Sequence, residues 1–385
     1  LSKQRILILA TTASMIEQFN IHNIKILQSL GAEVHVGTNF KNPGTITKDI
    51  SKQLVSKLNS MNVTYHQIDF MRGIGTHRAN KKALQQVCNV IKENNITGIH
   101  AHSPLGGIIA RRAGHKMNVK VIYTAHGLQF FKGGPLRDWF IFFPIEWFYA
   151  HWTDALITIN QDDYSVSRVL PVKHRYYIPG VGIDLQRVSN ISESRRRKLR
   201  EDVRKKFNVK DDDFFIISVG ELSKRKNHAT VIKAIHELND PHIKYVIAGI
   251  GNLKDELVSL IHKYHLEKQV SLLGYVRNLD GLYFASDLNI FISKREGLGL
   301  GGLDGIAHKT YIIGNGRTGM KDYIRVPETG LLMDNPSNVK NLVKLISSVR
   351  ETTPRIYSIS YIKKFGYCNV DECMKKIYMK EFDLG

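Results

Sequence analysis

The stretch "LNIFISKREGLGLGGLDGIAHKT", Leu288–Thr310, begins with an apolar run that stops at Ser293. The ten residues Glu296–Gly305 then hold five glycines and two carboxylates, Glu296 and Asp304. Each glycine disfavours a helix by about 1 kcal/mol relative to alanine, and glycine weakens a strand as well. The segment therefore reads as a strand followed by a loop whose backbone can approach a ligand closely. A helix opening near Gly302 would turn its first N–H groups toward an anion. One carboxylate would then precede the loop and the other would sit in the first helical turn, placed to receive hydroxyls. The competing reading is a glycine-rich turn with two solvated acids.

Outward from this stretch, short apolar runs alternate with segments of helical period. The first series is "RILILA", "AEVHVGT", "VTYHQIDF", "GIHAHS", "VKVIYTAH" and "DALITIN", with helix candidates at Glu17–Leu30, Asn80–Glu93 and Gly106–His115. The second is "FFIISVG", "IKYVIAG", "VSLLGY", "LNIFISK", "TYIIGN" and "TGLLM", with helix candidates at His228–Leu238, Lys254–Tyr264 and Asn338–Val349. Such alternation predicts an α/β chain of two Rossmann-like, doubly wound parallel-sheet domains, joined near Pro179–Val188. Ligands of open parallel sheets bind at the carboxyl ends of strands, so a central cleft faced by both domains is the expected site.

A chain of 385 residues with 43% hydrophobic content is long enough for two cores. Cys88, Cys368 and Cys373 form no disulfide framework or zinc spacing; all three read as buried apolar residues in a reducing cytoplasm. The apolar run Ile6–Ala10 is too short for a signal or a span, so a soluble or peripheral protein is expected. The net charge of +20 favours polyanionic partners. Its densest cluster, "SRRRKLREDVRKKF" (Ser194–Phe207), reads as a solvated helix face; without interleaved aromatics or a recognition motif it does not point to nucleic acid. "PLRDWFIFFPIEWFYAHW", Pro135–Trp152, holds all three tryptophans. It reads either as core or as a surface for anionic lipid, with Lys132 and Arg137 beside it. "DDD" at 211–213 reads as a turn, and no acid pair marks a metal site.

"REGLGLGGLDGIA" resembles the E-x7-E signature of the retaining GT-B-fold glycosyltransferases of the family-4 group. The resemblance spans nearly all of residues 3–380. It implies that Glu296 binds the transferred sugar and that Asp304, aspartate where the family has glutamate, binds the ribose. "SVGELSKRKNHATVIKAI" is similar to the family's diphosphate clamp: Lys226 matches its lysine, while Glu221 stands at its arginine position. Lys226, with Lys224 or Arg225, is then left to carry the charge. Gly297, Leu298, Gly299, Gly220 and Gly274 complete the donor side. In "VIYTAHGLQFFKGGP", His126 falls where the family has a histidine beside the donor sugar. In "IHAHSP", His102 ends a strand as a candidate ligand contact on the acceptor side, and Ser103 is placed to cap the next helix. The first loop, "LATTASMIEQFN", departs from the family's Gly-Gly turn and puts Ser14 and Met15 on the acceptor side. The look of this loop is shared with bacterial capsule and exopolysaccharide transferases.

The resemblance implies an acceptor-side domain over residues 1–180, a nucleotide-sugar domain over 181–360, and C-terminal helices over 361–385 that cross back to the first domain. The expected enzyme moves a hexose or N-acetylhexosamine from a nucleotide diphosphate sugar, a UDP-sugar foremost, to a polyprenyl-diphosphate-linked saccharide. It would do so with retention, without metal or other cofactor, in the cytoplasm against the inner face of the cell membrane. Three rivals stand beside it: a nucleotide-sugar 2-epimerase of the same layout, a non-catalytic basic protein binding nucleic acid or lipid, and a transferase fold that Glu221 and Asp304 have silenced.

Overall fold

Runs rich in Val, Ile and Leu become strands because branched side chains suit a pleated surface buried on both faces. The computed structural model describes residues 3–131 and 134–385 and arranges these runs in two units. Leu1–Gly182 with Tyr367–Gly385 form the first, and Ile183–Gly366 the second. Each holds one doubly wound parallel sheet.

The first unit runs β1 (Arg5–Leu9), α1 (Ala13–Phe19), α2 (Ile21–Ser29), β2 (Glu33–Thr38), α3 (Lys48–Ser60), β3 (Thr64–Gln67), α4 (His77–Glu93), β4 (Gly98–His102), α5 (Pro104–Met117), β5 (Lys120–Ala125), α6 (Leu136–Ala150), β6 (Ala155–Thr158), α7 (Gln161–Ser167) and β7 (His174–Tyr177). The strands lie in the order β3-β2-β1-β4-β5-β6-β7. β7 was not expected. Its sequence "HRYY" has no apolar run because it is a half-exposed edge strand beside β6. The expected helix Glu17–Leu30 is instead two helices. The buried Asn20 divides them, its side-chain amide donating to the carbonyl of Met15 at 2.9 Å.

The second unit runs α8 (Leu185–Ser189), α9 (Glu193–Lys206), β8 (Phe214–Val219), α10 (His228–Leu238), β9 (Ile243–Ala248), α11 (Lys254–Lys263), β10 (Val270–Gly274), α12 (Asp280–Ala285), β11 (Leu288–Phe291), α13 (Leu300–Ala307), β12 (Tyr311–Asn315), β13 (Gly330–Met333) and α14 (Val339–Thr352). Its strand order is β10-β9-β8-β11-β12-β13. The basic helix α9 is not simply a solvated face. Arg200 donates to the carbonyls of Phe284 and Ala285 at 3.0 and 2.9 Å and pairs with Asp287 at 3.1 Å. Arg204, one turn on, pairs with the same Asp287 at 3.2 Å. Arginine satisfies the last carbonyls of a helix well, so this stripe ties α9 to the end of α12. The turn at 211–213 leads into β8, with the Asp213 carboxylate receiving the Lys210 N–H at 2.9 Å. Asp212, Asp213 and His242 come together there, at the amino end of β8.

α15 (Tyr367–Glu381) belongs to the first unit, whereas the short helical turn Ser360–Phe365 stays with the second. α15 packs on α2, and its Tyr378 hydroxyl meets His100 Nδ1 at 2.7 Å. It also corrects the cysteine reading. Cys88 is buried, but Cys368 is exposed and Cys373 half-buried, because both lie on the outer side of this amphipathic helix.

α6 divides the aromatic segment between its two faces. Trp139, Phe142 and Phe143 pack on the core. Leu136, Phe140, Ile141, Trp147 and Phe148 stay exposed, Phe140 at 79%. The buried Glu146 pairs in bidentate fashion with Arg111, which is only 1% exposed, at 2.8 and 3.3 Å. The other acid of the helix, Asp138, pairs with Arg137 at 3.2 Å. Lys132 lies outside the described residues. Among the described residues, no helix is long and apolar enough to cross a membrane.

Candidate active site

In the second unit β8 lies between β9 and β11, so the chain leaves its carboxyl end toward one neighbour and returns beside the other. The register Leu288↔Ile216 and Asn289↔Ile217 sets the ends of β8 and β11 side by side. The Ser218 hydroxyl donates to the Ile290 carbonyl at 2.6 Å. The two loops that follow then lock together. Lys294 N–H donates to the Arg225 carbonyl, and Asn315 donates to the Ser293 carbonyl, both at 2.8 Å.

This pinning brings Glu296 against Lys226 and Arg225. Glu296 Oε1 lies 2.8 Å from Lys226 Nζ and 2.5 Å from Arg225 Nη1. Lys226 also sits over the Phe291 ring, 4.4 Å from its centre, a placement that favours a cation. Gly220 leaves room for the lysine stem, since a Cβ there would stand 2.8 Å from Lys226 Cε. Glu221, 19% exposed, reaches within 3.9 Å of Arg225. Burial raises the Glu296 carboxyl, yet the Lys226 ammonium and Arg225 guanidinium outweigh it and hold it below its ordinary value. Burial lowers Lys226 below its ordinary value, even with Glu296 beside it.

α13 opens at Leu300, two residues before the expected start. Gly299, at φ +82, makes the turn, a conformation glycine adopts without strain. Asp304 therefore lies in the second helical turn, not the first. Three of the glycines are inside the helix and serve packing. A Cβ on Gly301 would stand 2.8 Å from the Phe291 ring, one on Gly302 2.3 Å from the Tyr323 hydroxyl, and one on Gly305 2.4 Å from Asn289. Leu298 is buried, Gly297 lies beside it, and the Gly299 carbonyl receives the Tyr323 hydroxyl at 2.9 Å. Neither α13 nor α10 has a side-chain N-cap bond, and neither has an acid in its first turn. Two helix N-termini thus meet the loops after β8 and β11 with first turns that no side chain caps, a setting that favours an anion.

Sequence reading missed two side chains here. Ser223 Oγ and His228 Nε2 are buried without a hydrogen-bond partner, and burial with Lys226 nearby lowers His228 to about 4. "SKRKNH" carries the weak signal that could have found them, a hydroxyl and an imidazole flanking the lysine. Around Asp304, Asp280 binds His308 Nε2 at 2.9 Å and pairs with Arg187. Burial raises Asp304 to about 6, against His308 and Arg187, which pull it down. An unfolded Asp titrates near 4. The folded chain therefore bears no cost from this group below about pH 4, a growing cost as pH rises toward 6, and the full cost above it. Asp304→Asn is expected to stabilise the fold by about 1–3 kcal/mol at pH 7.5, with no gain at pH 4. Thermal melts at the two pH values check this; equal melting points at pH 7.5 contradict it.

Lys224 is exposed, and Gly274 closes β10 at φ +70, two strands away from β8. Neither makes a described contact with the Glu296 cluster.

In the first unit, β1 lies between β2 and β4. His102 ends β4 and His126 follows β5, which brings His102 Nδ1 within 3.0 Å of His126 Nε2. Burial lowers His126 to about 4 and His102 well below its ordinary value, so both are neutral at pH 7 and one ring donates to the other. Ser103 is the residue before α5, but its hydroxyl does not cap that helix. It bonds the His102 carbonyl and Thr11 Oγ1 instead, because Ser103 adopts φ +66, away from the extended backbone of a capping serine. Ser14 and Met15 are not in a turn but in the first turn of α1, with Ser14 Oγ 3.0 Å from Thr12 Oγ1.

Residues 17–187 match the family described as Glycosyltransferase Family 4, and residues 200–358 match Glycosyl transferases group 1. The chain is 30% identical over 337 residues to the Putative glycosyltransferase EpsD of Bacillus subtilis (strain 168), covering 86% of this chain and 83% of that one. It is 27% identical over 231 residues, 57% of each chain, to the UDP-Gal:alpha-D-GlcNAc-diphosphoundecaprenol alpha-1,3-galactosyltransferase of Escherichia coli. The sucrose-phosphate synthase from Thermosynechococcus elongatus shares the fold, with a TM-score of 0.76 at 17% identity over 99% of this chain and 100% of that one.

Proposed function

Because this chain belongs to the group 1 glycosyltransferases, enzymes of the GT-B fold that act on nucleotide sugars, we propose that it moves a hexose or N-acetylhexosamine from a UDP-sugar to a polyprenyl-diphosphate-linked saccharide. Transfer retains the anomeric configuration and serves cell-surface polysaccharide synthesis at the inner face of the membrane. The observation that carries the reading is the meeting of Lys226, Arg225 and Glu296 where two uncapped helix N-termini follow β8 and β11. That arrangement suits a sugar diphosphate, which needs positive charge and N–H groups at its phosphates and a carboxylate at its hydroxyls. The name of the Escherichia coli relative supports both the UDP donor and the polyprenyl-diphosphate acceptor.

Each residue has a stated role in this reading. Lys226, with Arg225 and the helix ends, steadies the charge that develops on the departing diphosphate. Glu296 orients the sugar, and Asp304 receives the ribose hydroxyls. The bond from the anomeric carbon to the phosphate oxygen breaks, the acceptor oxygen bonds the same carbon, and its proton passes to the departing phosphate. A melting-point panel with UDP-, GDP- and ADP-sugars tests donor class, since a bound ligand raises apparent stability. Incubation of the preferred sugar with a lipid-linked saccharide, followed by NMR of the product anomer, tests the rest. Conversion of UDP-GlcNAc with no acceptor present would instead mark an epimerase.

Membrane contact falls to α6. Its outward side carries Leu136, Phe140, Ile141, Trp147 and Phe148, while Glu146 is buried against Arg111 and Asp138 is paired. On the neighbouring α5, His115 stacks on Trp152 at 4.3 Å, and Arg112 and Lys116 are exposed. Exposed aromatics beside exposed cations suit an anionic headgroup layer. Phe140→Ser with Phe148→Ser is expected to lower partition into anionic vesicles at least tenfold, given about 1.5–3 kcal/mol for each fully buried side chain. Trp147, 45% exposed, is expected to dominate the emission shift on binding, because Trp139 already donates to the Phe131 carbonyl. Co-sedimentation and fluorescence across a salt series decide; unaltered partition of the double variant removes α6 from the contact.

A further inference from the structure

The Glu296 cluster lies at the carboxyl ends of β8 and β11, and the opposite edge of the same sheet carries a cavity. The loop 325–329 precedes β13, and its Thr329 carbonyl receives the N–H of Ile312 near the start of β12. α14 follows β13 and brings the chain back to this amino edge, so that Thr352 and Thr353 face the loop. Between them lies a cavity of about 660 Å³, lined also by Arg325, Glu328, Arg355, Tyr357 and Tyr361. We propose that this cavity is a second ligand site, for the phosphate ester of a sugar, in which Arg325 and Arg355 hold the phosphate and Glu328 receives ring hydroxyls.

Three observations carry this. The first is unpaired charge. Among the described residues neither guanidinium meets a carboxylate, while Arg111, Arg187, Arg200, Arg204 and Arg350 each pair with one. Two cations facing one cavity match the charge of a phosphate ester. The second is preorganisation. The Arg325 guanidinium lies over the Tyr361 ring, 3.9 Å from its centre. Tyr361 is itself fixed, its hydroxyl donating to the Tyr323 carbonyl at 2.8 Å and lying 2.9 Å from Thr329 Oγ1. A stacked guanidinium keeps its N–H donors in one plane for a forked contact to phosphate oxygens. The third is size and lining. Ligand pockets run to about 300–1,000 Å³, and a sugar phosphate fits within this one. Tyr357, 87% exposed, offers a ring face to the C–H side of a pyranose. Thr352 donates to the Ser348 carbonyl at 2.7 Å, which leaves its oxygen to accept from a hydroxyl. Two features oppose an anion, the Glu328 carboxylate and the carbonyl end of α14. They direct hydroxyls rather than phosphate to themselves. No residue of this cavity belongs to the Glu296 cluster, so the proposal does not rest on the transferase reading.

A solvated groove is the competing account. Calorimetry on the intact chain, with and without saturating UDP, separates the two. The probes are the 1- and 6-phosphates of glucose and of N-acetylglucosamine, with inorganic phosphate and glucose alongside. At least one sugar phosphate is expected to bind at least tenfold more tightly than inorganic phosphate or glucose, whether or not UDP is present. Arg355→Gln and Arg325→Gln are each expected to weaken it at least tenfold, with UDP affinity within twofold of wild type. Arg355→Lys, which keeps the charge and loses the fork, is expected to recover it in part. Tyr357→Ala is expected to weaken the sugar phosphate at least threefold and to leave inorganic phosphate unchanged. If Arg325→Gln lowers the melting point through loss of its stacking, Arg355→Gln decides, since Arg355 makes no described hydrogen bond or ion pair. Absence of sugar-phosphate binding, equally tight inorganic phosphate, or wild-type affinity in Arg355→Gln overturns the proposal. Displacement of the sugar phosphate by UDP also overturns it, by moving the ligand to the donor cluster. Sugar-phosphate binding in a chain that binds no UDP leaves this site standing and counts against the transferase reading alone.

Discussion

Glu296→Gln is expected to lower sugar transfer by about 10²–10³-fold, the loss typical of removing one positioned group that acts on the transition state. The amide keeps the volume of the carboxylate and removes its charge. In the wild type that charge lies against Lys226 and Arg225, so its removal frees both cations for the diphosphate. UDP affinity is therefore expected to hold or to tighten while turnover collapses. The fold is expected to survive, with a melting point within about 4 °C of wild type, the shift that about 1 kcal/mol produces in a domain of this size. Steady-state transfer, UDP calorimetry and thermal melts on the same preparation check the three claims. Turnover equal to wild type removes Glu296 from the reaction.

Lys226→Met is expected to do the reverse. Methionine keeps an apolar stem over the Phe291 ring and deletes the ammonium. UDP affinity is expected to fall by about 10–150-fold, the worth of a charge-assisted hydrogen bond at about 1.5–3 kcal/mol, while uridine, which has no phosphate, changes less than twofold. Because burial already disfavours the charged lysine, the substitution removes a desolvation cost along with the ion pair, and only a small change in stability is expected. Calorimetry with UDP and uridine tests this. Unchanged UDP binding moves the phosphate site away from the loop after β8.

The cluster of Lys226, Arg225 and Glu296 draws on two short segments, each directly after an apolar strand, and both segments were legible in the sequence. "SVGELSKRKNH" and "SKREGLGLGGLDG" announce themselves by a run, a glycine and a charge. Where reading failed, tertiary contacts had overridden local rules. Gly301 was expected in the loop, ahead of a helix opening near Gly302, because helices disfavour glycine, yet it sits inside α13 where the Phe291 ring leaves no room for a Cβ. Arg200 and Arg204 looked solvated because nothing local marks Asp287 as their partner. β7 went unseen because an edge strand needs no apolar run.

The sequence by itself determined that strands and helices alternate, that the sheets are parallel, and that a glycine-rich loop with two acids follows one strand. These are local properties, encoded in periods of two and of 3.6 residues and in the backbone preferences of single residue types. Only the tertiary structure decided which strand end lies beside which. Arg225 and Glu296 are 71 residues apart in the chain, and His22 and Asp371 are 349 apart. No periodicity reports such a meeting. The same holds for the raised titration of Asp304 and the unpaired nitrogen of His228. Both arise from the number of atoms that packing removes from water around one group, and that number is a property of the folded chain rather than of any stretch of it.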